Sequence, residues 1–337
     1  MEDFPSLYYG EPFVWRGTGW TGQARWSTAA SRVGSQGRNL YRFEAATGKV
    51  RWRLAVPRQI KGSGCFCRTR STSAGRVDDH LRCVDAATGN VIWKLNTGHD
   101  LDSSPCVVDG KLYIAGENGH ARCVDPNTGK QIWKTFVGGL NSGPKKGSYG
   151  AETAPAVVDN EYYCANYDGE VWSIDATTGE KRWIAHTGDD TDASPVVSRE
   201  LVFAAAEDKS PWLYAFKRKD GAEVWKHKMA GGFWGTPALV GDTLWAGSAH
   251  GDIACLEAGS GKVKWEAKLG AQTWSSPSVI DGTLLIGDFD GRFHALDAAT
   301  GAERWTLKLG GRIHSTPAVI GGKIYVGSTD GWFYGLG

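Results

Sequence analysis

The chain has 337 residues, including 46 Gly, 16 Trp and 2 Met, and its 38 Lys and Arg residues nearly balance 37 Asp and Glu residues for a net charge of +1. This balance excludes the strongly basic face that nucleic-acid-binding proteins carry, and no apolar run has the length of a membrane-spanning helix. Such Gly and Trp content favours tight turns between strands with aromatic anchors over a helical bundle.

The N-terminus carries acids where a signal peptide would carry Lys or Arg, and no apolar segment follows Glu2 and Asp3. We therefore expect the chain as given to be soluble and without a signal peptide. Its seven Cys are odd in number and scattered, which favours a reducing, cytoplasmic compartment. A leader removed during maturation would instead place the protein in the periplasm.

Residues 13–86 are irregular and basic, with 14 Lys and Arg against 4 Asp and Glu, whereas residues 87–337 carry 24 against 30. One interpretation is a basic patch for an acidic partner, and the other is a degenerate copy of the repeat that follows, with a solvated Arg-rich edge. Cys65 and Cys67 share one face of a predicted strand there, so they would bind a metal only with ligands from elsewhere.

A repeat organises the chain from about residue 38 to its end. The element Asp-Ala-Ala-Thr-Gly-x-x-x-Trp recurs at intervals of 40 to 50 residues, with its Trp at 52, 93, 133, 183, 225, 265 and 305. Before most copies stands a second element, Ser-Ser-Pro-x-Val, followed by a turn, an apolar run and Asp-Gly or Asn-Gly. Cys83, Cys123 and Cys255 share one repeat position where other copies have Ala or Ser, so we expect them to act as small buried apolar residues.

Each unit predicts four short antiparallel strands. In the last unit they are Pro317–Ile320, Lys323–Gly327 and Phe333–Leu336, and the fourth strand of a unit surrounds its Trp. No helical period separates the units, which excludes a parallel βαβ sheet. Four antiparallel strands in about 40 residues are typical of a β-propeller blade, so the predicted fold class is an all-β propeller.

We predict eight blades in a ring closed by N- and C-terminal strands. Residues 306–337 would supply three strands of the last blade, and residues 22–27, around Trp26, would supply its outer strand. Seven blades with an N-terminal arm are the alternative, because Trp26 and Trp52 lie closer in sequence than the other repeated Trp residues and leave little room for a standard blade. Residues 1–40 are then an arm with the closing strand, and residues 41–337 are the propeller of a single domain.

One slot of the repeat, three residues before the Pro, varies while its neighbours are nearly constant. In the predicted fold the slot lies at the rim of the central channel, where the innermost strands begin. It holds the following residues: Asp102, Glu152, Asp192, Trp234, Trp274 and His314, with Lys61 in the irregular second blade. We predict that the first six bind a ligand.

The chemistry of these residue types leaves several functions open. Trp faces attract cations and carboxylates add complementary charge. Asp, Glu and His also bind Ca²⁺ or Mg²⁺, and crowded acids raise one another's pKa toward that of a general acid or base. The same residues would equally line a solvated channel. A Gly-rich insertion at residues 138–149 and a longer hairpin at residues 207–212 are expected over the same face.

The two alternating elements resemble the tryptophan-docking repeats of the pyrroloquinoline-quinone (PQQ) type propellers, a family that includes quinoprotein alcohol dehydrogenases and the outer-membrane assembly lipoprotein BamB. The resemblance covers about residues 38–337 and is specific for fold, since the repeated residues are structural. Dehydrogenases of this family carry two adjacent cysteines near the quinone, and Cys65 and Cys67, separated by one residue, do not match them.

From these observations we expect a non-enzymatic scaffold whose rim binds a protein segment or a small ligand, for which a cation is one option, without a cofactor and without nucleic acid. It would act as a monomer or as a subunit of a larger assembly. Two alternatives remain: a dehydrogenase using PQQ and Ca²⁺, and another enzyme using Asp102, Glu152, Asp192 and His314 on a cationic substrate. No C-x-x-C-H, H-E-x-x-H, G-x-S-x-G or P-loop motif is present, and we assign no catalytic residue or metal ligand.

Overall fold

The computed structural model describes residues 15–16, 25–27, 30–35, 39–44, 47, 49–56, 65–67, 70–74, 79–99, 101, 103–138, 150–151 and 153–337. Their strands form eight four-stranded antiparallel sheets. Within this described part, no helix has the length and apolar character needed to cross a membrane.

Seven of the sheets are continuous in sequence, and we number the blades in chain order. Blade 1 contains β2 Arg25–Ser27, β3 Ala30–Ser35, β4 Asn39–Glu44 and β5 Val50–Ala55, and blade 2 contains β6 Cys65–Cys67, β7 Arg70–Ala74, β8 His80–Asp85 and β9 Val91–Asn96. Blade 3 contains β10 Cys106–Val108, β11 Lys111–Ile114, β12 His120–Val124 and β13 Gln131–Phe136, and blade 4 contains β14 Ala156–Val158, β15 Glu161–Ala165, β16 Glu170–Asp175 and β17 Lys181–His186. Blade 5 contains β18 Val196–Val197, β19 Leu201–Ala205, β20 Trp212–Lys217 and β21 Glu223–Lys228, and blade 6 contains β22 Ala238–Val240, β23 Thr243–Gly247, β24 Asp252–Glu257 and β25 Val263–Lys268. Blade 7 contains β26 Ser278–Ile280, β27 Thr283–Gly287, β28 Arg292–Asp297 and β29 Glu303–Lys308. Blade 8 is β30 Ala318–Ile320, β31 Lys323–Gly327, β32 Trp332–Leu336 and β1 Trp15–Arg16.

The blades surround a common axis with their first strands innermost. First strands of neighbouring blades contact each other, as β10 does with β6 and β14, and β2 of blade 1 contacts β30 of blade 8. The ring is therefore closed, and the prediction of an all-β, eight-bladed propeller closed by terminal strands is confirmed.

The closing strand is not the one that the repeat spacing predicts. β1, Trp15–Arg16, pairs with β32 and completes blade 8, whereas Arg25–Ser27 is β2 and opens blade 1. The assignment of residues 22–27 to the closing strand is therefore wrong. The segment from Arg25 to Ala55 suffices for a whole blade because short connections join its strands.

The repeated Trp residues join each blade to the next. The Nε1 atom of Trp225 donates to the carbonyl oxygen of Ala258 in blade 6 at 3.0 Å, and Trp183 donates likewise to Arg218 in blade 5 at 2.8 Å. For six of these Trp residues, the turn Gly of the following blade lies against the indole ring: a Cβ on Gly261, whose φ is +71°, would come within 2.6 Å of the Trp225 ring. The constant spacing of Gly and Trp within a repeat thus serves contacts between repeats.

The irregular first quarter also forms sheets, since blades 1 and 2 each have four strands. Cys65 and Cys67 both lie on β6, and their side chains are outside the described residues. The three Cys at one repeat position are buried, as predicted, and form no disulfide bond among the described residues. Each is paired across the strands with a docking Trp: Cys83 with Trp93, Cys123 with Trp133 and Cys255 with Trp265.

Candidate functional site

Four of the six predicted rim residues lie in the described part of the chain. All four side chains are half-buried and lie in the loops that lead into the first strands of blades 5, 6, 7 and 8, in the order Asp192, Trp234, Trp274 and His314. We call these connections inter-blade loops. Asp102 and Glu152, and Lys61 in the second blade, are outside the described residues.

Hydroxyl groups two residues after the rim slot link these loops around the channel. The backbone N–H of Ser194 donates to Thr236 Oγ1 at 3.0 Å, and that of Thr236 donates to Ser276 Oγ at 2.9 Å. The N–H of Ala154 in blade 4 donates in the same way to Ser194 Oγ at 2.9 Å. This belt explains the Ser and Thr of the Ser-Ser-Pro element, because each hydroxyl holds the preceding blade in register.

A second set of residues borders the rim, at the tips of the hairpins between the second and third strands of each blade. Their N–H groups donate to the carbonyl two residues before the rim slot, at 2.7 to 3.1 Å: Tyr167 to Gly150, Glu207 to Asp190, Ala249 to Gly232, Phe289 to Gln272 and Thr329 to Arg312. Of this set, only the longer hairpin that begins at Glu207 was predicted from the sequence to lie over this face. The available signal was a variable residue next to the near-constant hairpin turn.

Aromatic rings cover the rim over blades 6 to 8. The rings of Trp234 and Trp274 stack with centroids 4.4 Å apart and planes 13° apart. Phe289 meets Trp274 edge-on at 4.8 Å and stacks on His314 at 4.6 Å, and the Arg312 guanidinium lies 5.1 Å from the Phe289 ring. We call Trp234, Trp274, Phe289 and His314 the aromatic half. The structure thus brings three predicted residues together, and their role in binding stays a prediction.

His314 is held neutral in this cluster. Burial, together with the positive charge of Arg312, lowers the pKa of its imidazole to about 4. Its Nε2 atom is buried and has no hydrogen-bond partner among the described residues. At neutral pH the ring therefore adds to the aromatic surface and carries no positive charge.

Three carboxylates meet on blade 5, which precedes the aromatic half around the ring. Oxygen atoms of Asp190, Asp192 and Glu207 all lie within 4.8 Å of one another, and the three side chains are half-buried. Burial and the negative charges of neighbours, chiefly Asp190, raise the pKa of Glu207 to about 7, against an opposing hydrogen bond from Asp192. We call these three residues the acidic half. A cation brought to it would relieve this repulsion.

A buried Asp-His-Thr chain beneath the aromatic half resembles a catalytic triad in composition. The His294 Nε2 atom lies 3.0 Å from Asp288 Oδ2, and Thr306 Oγ1 lies 3.2 Å from the other ring nitrogen. Asp288 is fully buried and His294 is 3% exposed, so substrate has no access to the imidazole. Asp288 also accepts the Arg292 N–H at 2.7 Å, which makes this chain a support for the hairpin that carries Phe289.

The repeats match the model of a known protein family. The family described as "Outer membrane protein assembly factor BamB" matches residues 77–209, 209–286 and 273–336. The chain belongs to this family. No curated protein sequence matches the chain.

Several solved structures share the fold. BamB from Moraxella catarrhalis superposes with a TM-score of 0.78 at 19% identity, over 96% of this chain and 97% of that chain. A europium-containing methanol dehydrogenase gives 0.77 at 15% identity, over 95% and 84%. Quinohemoprotein alcohol dehydrogenase from Comamonas testosteroni gives 0.77 at 14% identity, over 95% and 74%. At these identities the likeness concerns the fold, which both BamB and dehydrogenases use.

The aromatic half does not fit a planar quinone held between its indoles. Trp234 and Trp274 are already in stacking contact with each other, so a third ring cannot enter between them. Phe289 and His314 also contact Trp274. The acidic half has a donor set that suits a hard cation such as Ca²⁺, and it suits an ammonium or guanidinium group equally.

Proposed function

We propose that this BamB-family propeller is a non-enzymatic scaffold whose rim binds a protein segment through a cationic side chain. The observation that carries the proposal is the placement of three crowded carboxylates and two stacked indoles in the inter-blade loops and hairpins at one end of the channel. The family is described as an assembly factor, and this supports a protein as the partner.

Charge and aromatic surface favour the same kind of ligand. Burial and the negative charge of Asp190 raise the pKa of Glu207, and a guanidinium or ammonium group would neutralise Asp190, Asp192 and Glu207 with charge-assisted hydrogen bonds. Indole faces attract cations at a worth of about 0.5 to 2 kcal/mol each. Arg is the better fit because its planar group both stacks on aromatic rings and binds carboxylates with two hydrogen bonds.

The fold supports a scaffold because it is rigid at the rim. Hydroxyl hydrogen bonds link the inter-blade loops of blades 4 to 7 to one another, and backbone hydrogen bonds join the loops of blades 4 to 8 to the hairpin tips, so little ordering is needed when a ligand binds. The described strands form the blades, and the residues of the acidic half and the aromatic half lie in the loops and hairpin tips that connect these strands.

The test is a thermal-shift and calorimetric titration of the purified chain with a hexa-arginine peptide, with hexa-glutamate as the charge control. Binding to the folded state stabilises it by about 2.7 kcal/mol at a hundredfold excess over Kd. We expect Asp190→Asn with Asp192→Asn to abolish the hexa-arginine shift. Asp242→Asn, an exposed charge change in a turn between the first two strands of blade 6, should leave the shift unchanged.

Two further titrations separate the cofactor alternatives. Ca²⁺ alone, and PQQ with Ca²⁺, are added in parallel, and reduction of an artificial dye is followed. A shift with PQQ and Ca²⁺ together with dye reduction would replace the scaffold by a dehydrogenase. Equal shifts with hexa-arginine and hexa-glutamate would show that recognition at the rim is not electrostatic and would refute the proposal.

A single observation favours a second candidate, an enzyme acting on a cationic substrate. A carboxyl group whose pKa is about 7, as for Glu207, is poised to act as a general base at neutral pH. The test is turnover of a panel of arginine and lysine esters and amides. Under this candidate Asp192→Asn and Glu207→Gln abolish turnover while the fold is kept.

A further inference from the structure

The hairpin tip of blade 5 is fastened to two inter-blade loops at once. On the side of its own blade, the Lys209 N–H donates to Asp189 Oδ2 at 2.8 Å. On the side of blade 6, the Gly232 N–H donates to Asp208 Oδ1 at 2.8 Å, and the Phe233 N–H donates to the Ala206 carbonyl at 3.0 Å. Asp208 directly follows Glu207 of the acidic half, and Gly232 lies two residues before Trp234 of the aromatic half.

Gly232 is required by the closeness of this contact. A Cβ at this position would lie 2.5 Å from the backbone nitrogen of Asp208 and would also meet the carbonyl carbon of Glu207. The φ of Gly232 is outside the left-handed region, so conformation alone would permit another residue. The atoms that a Cβ would meet are all backbone, which leaves no flexible side chain to move aside.

The carboxylates at the same repeat position in blades 7 and 8 make different contacts. Asp290 in blade 7 pairs with Arg292 of its own blade at 2.9 Å. Asp330 in blade 8 accepts from the Trp332 N–H at 2.9 Å and from the Tyr334 hydroxyl at 2.6 Å, again within one blade. The bond from Gly232 to Asp208 instead crosses from blade 6 to blade 5.

We infer that Asp208 is a positioning residue that fastens the acidic half of the rim to the aromatic half, so that carboxylates and indoles act on one ligand together. This inference rests on the proposed function, since it names what sets the geometry of that site. Asp208 itself need not touch the ligand. Its carboxylate accepts a backbone hydrogen bond, and a side chain that keeps this acceptor without the charge should preserve the arrangement.

The experiment compares Asp208→Ala, Asp208→Asn and Gly232→Ala, with Asp290→Ala as the matched control from the same repeat position. Two readouts need no ligand: the carboxyl titration of Glu207 by NMR, and the ¹⁹F resonance of Trp234 in 5-fluorotryptophan-labelled protein, assigned with Trp234→Phe. The third readout is the affinity for hexa-arginine.

We expect Asp208→Ala and Gly232→Ala to shift the Trp234 resonance and to weaken hexa-arginine binding about tenfold, a loss equal to that of one charge-assisted hydrogen bond. The negative charge of Asp208 itself raises the pKa of Glu207, so the comparison is with Asp208→Asn: Asp208→Ala should move the Glu207 titration to lower pH than Asp208→Asn does. Asp208→Asn should keep the Trp234 resonance and the affinity of the parent, because the amide oxygen still accepts the Gly232 N–H. Asp290→Ala should change none of the three.

The inference is overturned if Asp208→Ala lowers the melting temperature but leaves the Trp234 resonance unchanged and moves the Glu207 titration no further than Asp208→Asn does. If Asp208→Ala does not fold, Asp208→Leu, which is similar in size and lacks the acceptor, decides by the same readouts. If the parent protein does not bind hexa-arginine, the proposed function fails, whereas the two ligand-free readouts still decide whether Asp208 positions the two halves.

Discussion

Removal of one docking Trp tests the way in which the blades hold each other. Trp183 is 8% exposed and packs in a cluster that spans blades 4 and 5. Its Nε1 atom donates to the Arg218 carbonyl at 2.8 Å, and its ring covers Gly221, where a Cβ would come within 2.6 Å of the indole. The substitution Trp183→Ala therefore removes packing and a hydrogen bond between the same two blades.

The expected cost is large for a single side chain. Truncation of a buried Trp to Ala costs about 3 to 5 kcal/mol in packing and cavity formation. The Arg218 carbonyl, left without its indole donor, adds about 1 kcal/mol. We expect Trp183→Ala to lower the free energy of unfolding by roughly 4 to 6 kcal/mol, and Trp183→Phe, which keeps an aromatic ring, to lower it by about half as much or less.

The assay is urea denaturation followed by far-UV circular dichroism, because the 16 Trp make fluorescence an unselective probe. The control is Trp212→Ala on β20 of the same cluster, a half-buried indole whose ring centroid lies 5.3 Å from Lys226 Nζ and 5.7 Å from Lys228 Nζ. Its loss should cost distinctly less than that of Trp183. A free energy of unfolding for Trp183→Ala within about 1 kcal/mol of the parent would refute the assignment of Trp183 to the blade interface.

Two other predictions concern the turns and the rim. Gly261→Ala, which places a Cβ against the Trp225 ring, should lower the free energy of unfolding by at least about 3 kcal/mol. The control Gly241→Ala, where φ is +56° and no atom lies within 4 Å of the added Cβ, should lower it by about 1 kcal/mol. Equal losses in urea denaturation would contradict the contact between the turn Gly and the Trp of the preceding blade. Glu207 has a pKa raised from 4.5 to about 7, so its contribution to stability is full below pH 4.5 and is lost as pH rises through 7. As the pH rises from 4.5 to 7, Glu207→Gln should therefore gain stability relative to the parent. The gain should be less than about 3 kcal/mol because the side chain is only half-buried. A constant difference in stability across this range would refute the raised pKa of Glu207.

Much of the architecture follows from local patterns in the sequence. The regular spacing of Trp52 to Trp305 predicts the blades, because each turn and strand pair is specified within about 40 neighbouring residues. The register of the Pro element placed Asp192, Trp234, Trp274 and His314 in equivalent inter-blade loops. The closing strand was predicted wrongly, because Trp26 resembles a docking Trp whereas the two-residue strand at Trp15 carries no repeat element.

The sequence by itself determined the fold class, the number of blades and the series of variable positions at the rim, because these follow from local patterns repeated along the chain. Only the tertiary structure decided that Glu207 joins Asp190 and Asp192, that Trp234 stacks on Trp274, and that Asp208 reaches Gly232 of the next blade. Each of these contacts joins a hairpin to a loop, or one inter-blade loop to the next, between residues that are distant in sequence. Their distances depend on how neighbouring blades pack around the ring, and no pattern within one repeat encodes that packing.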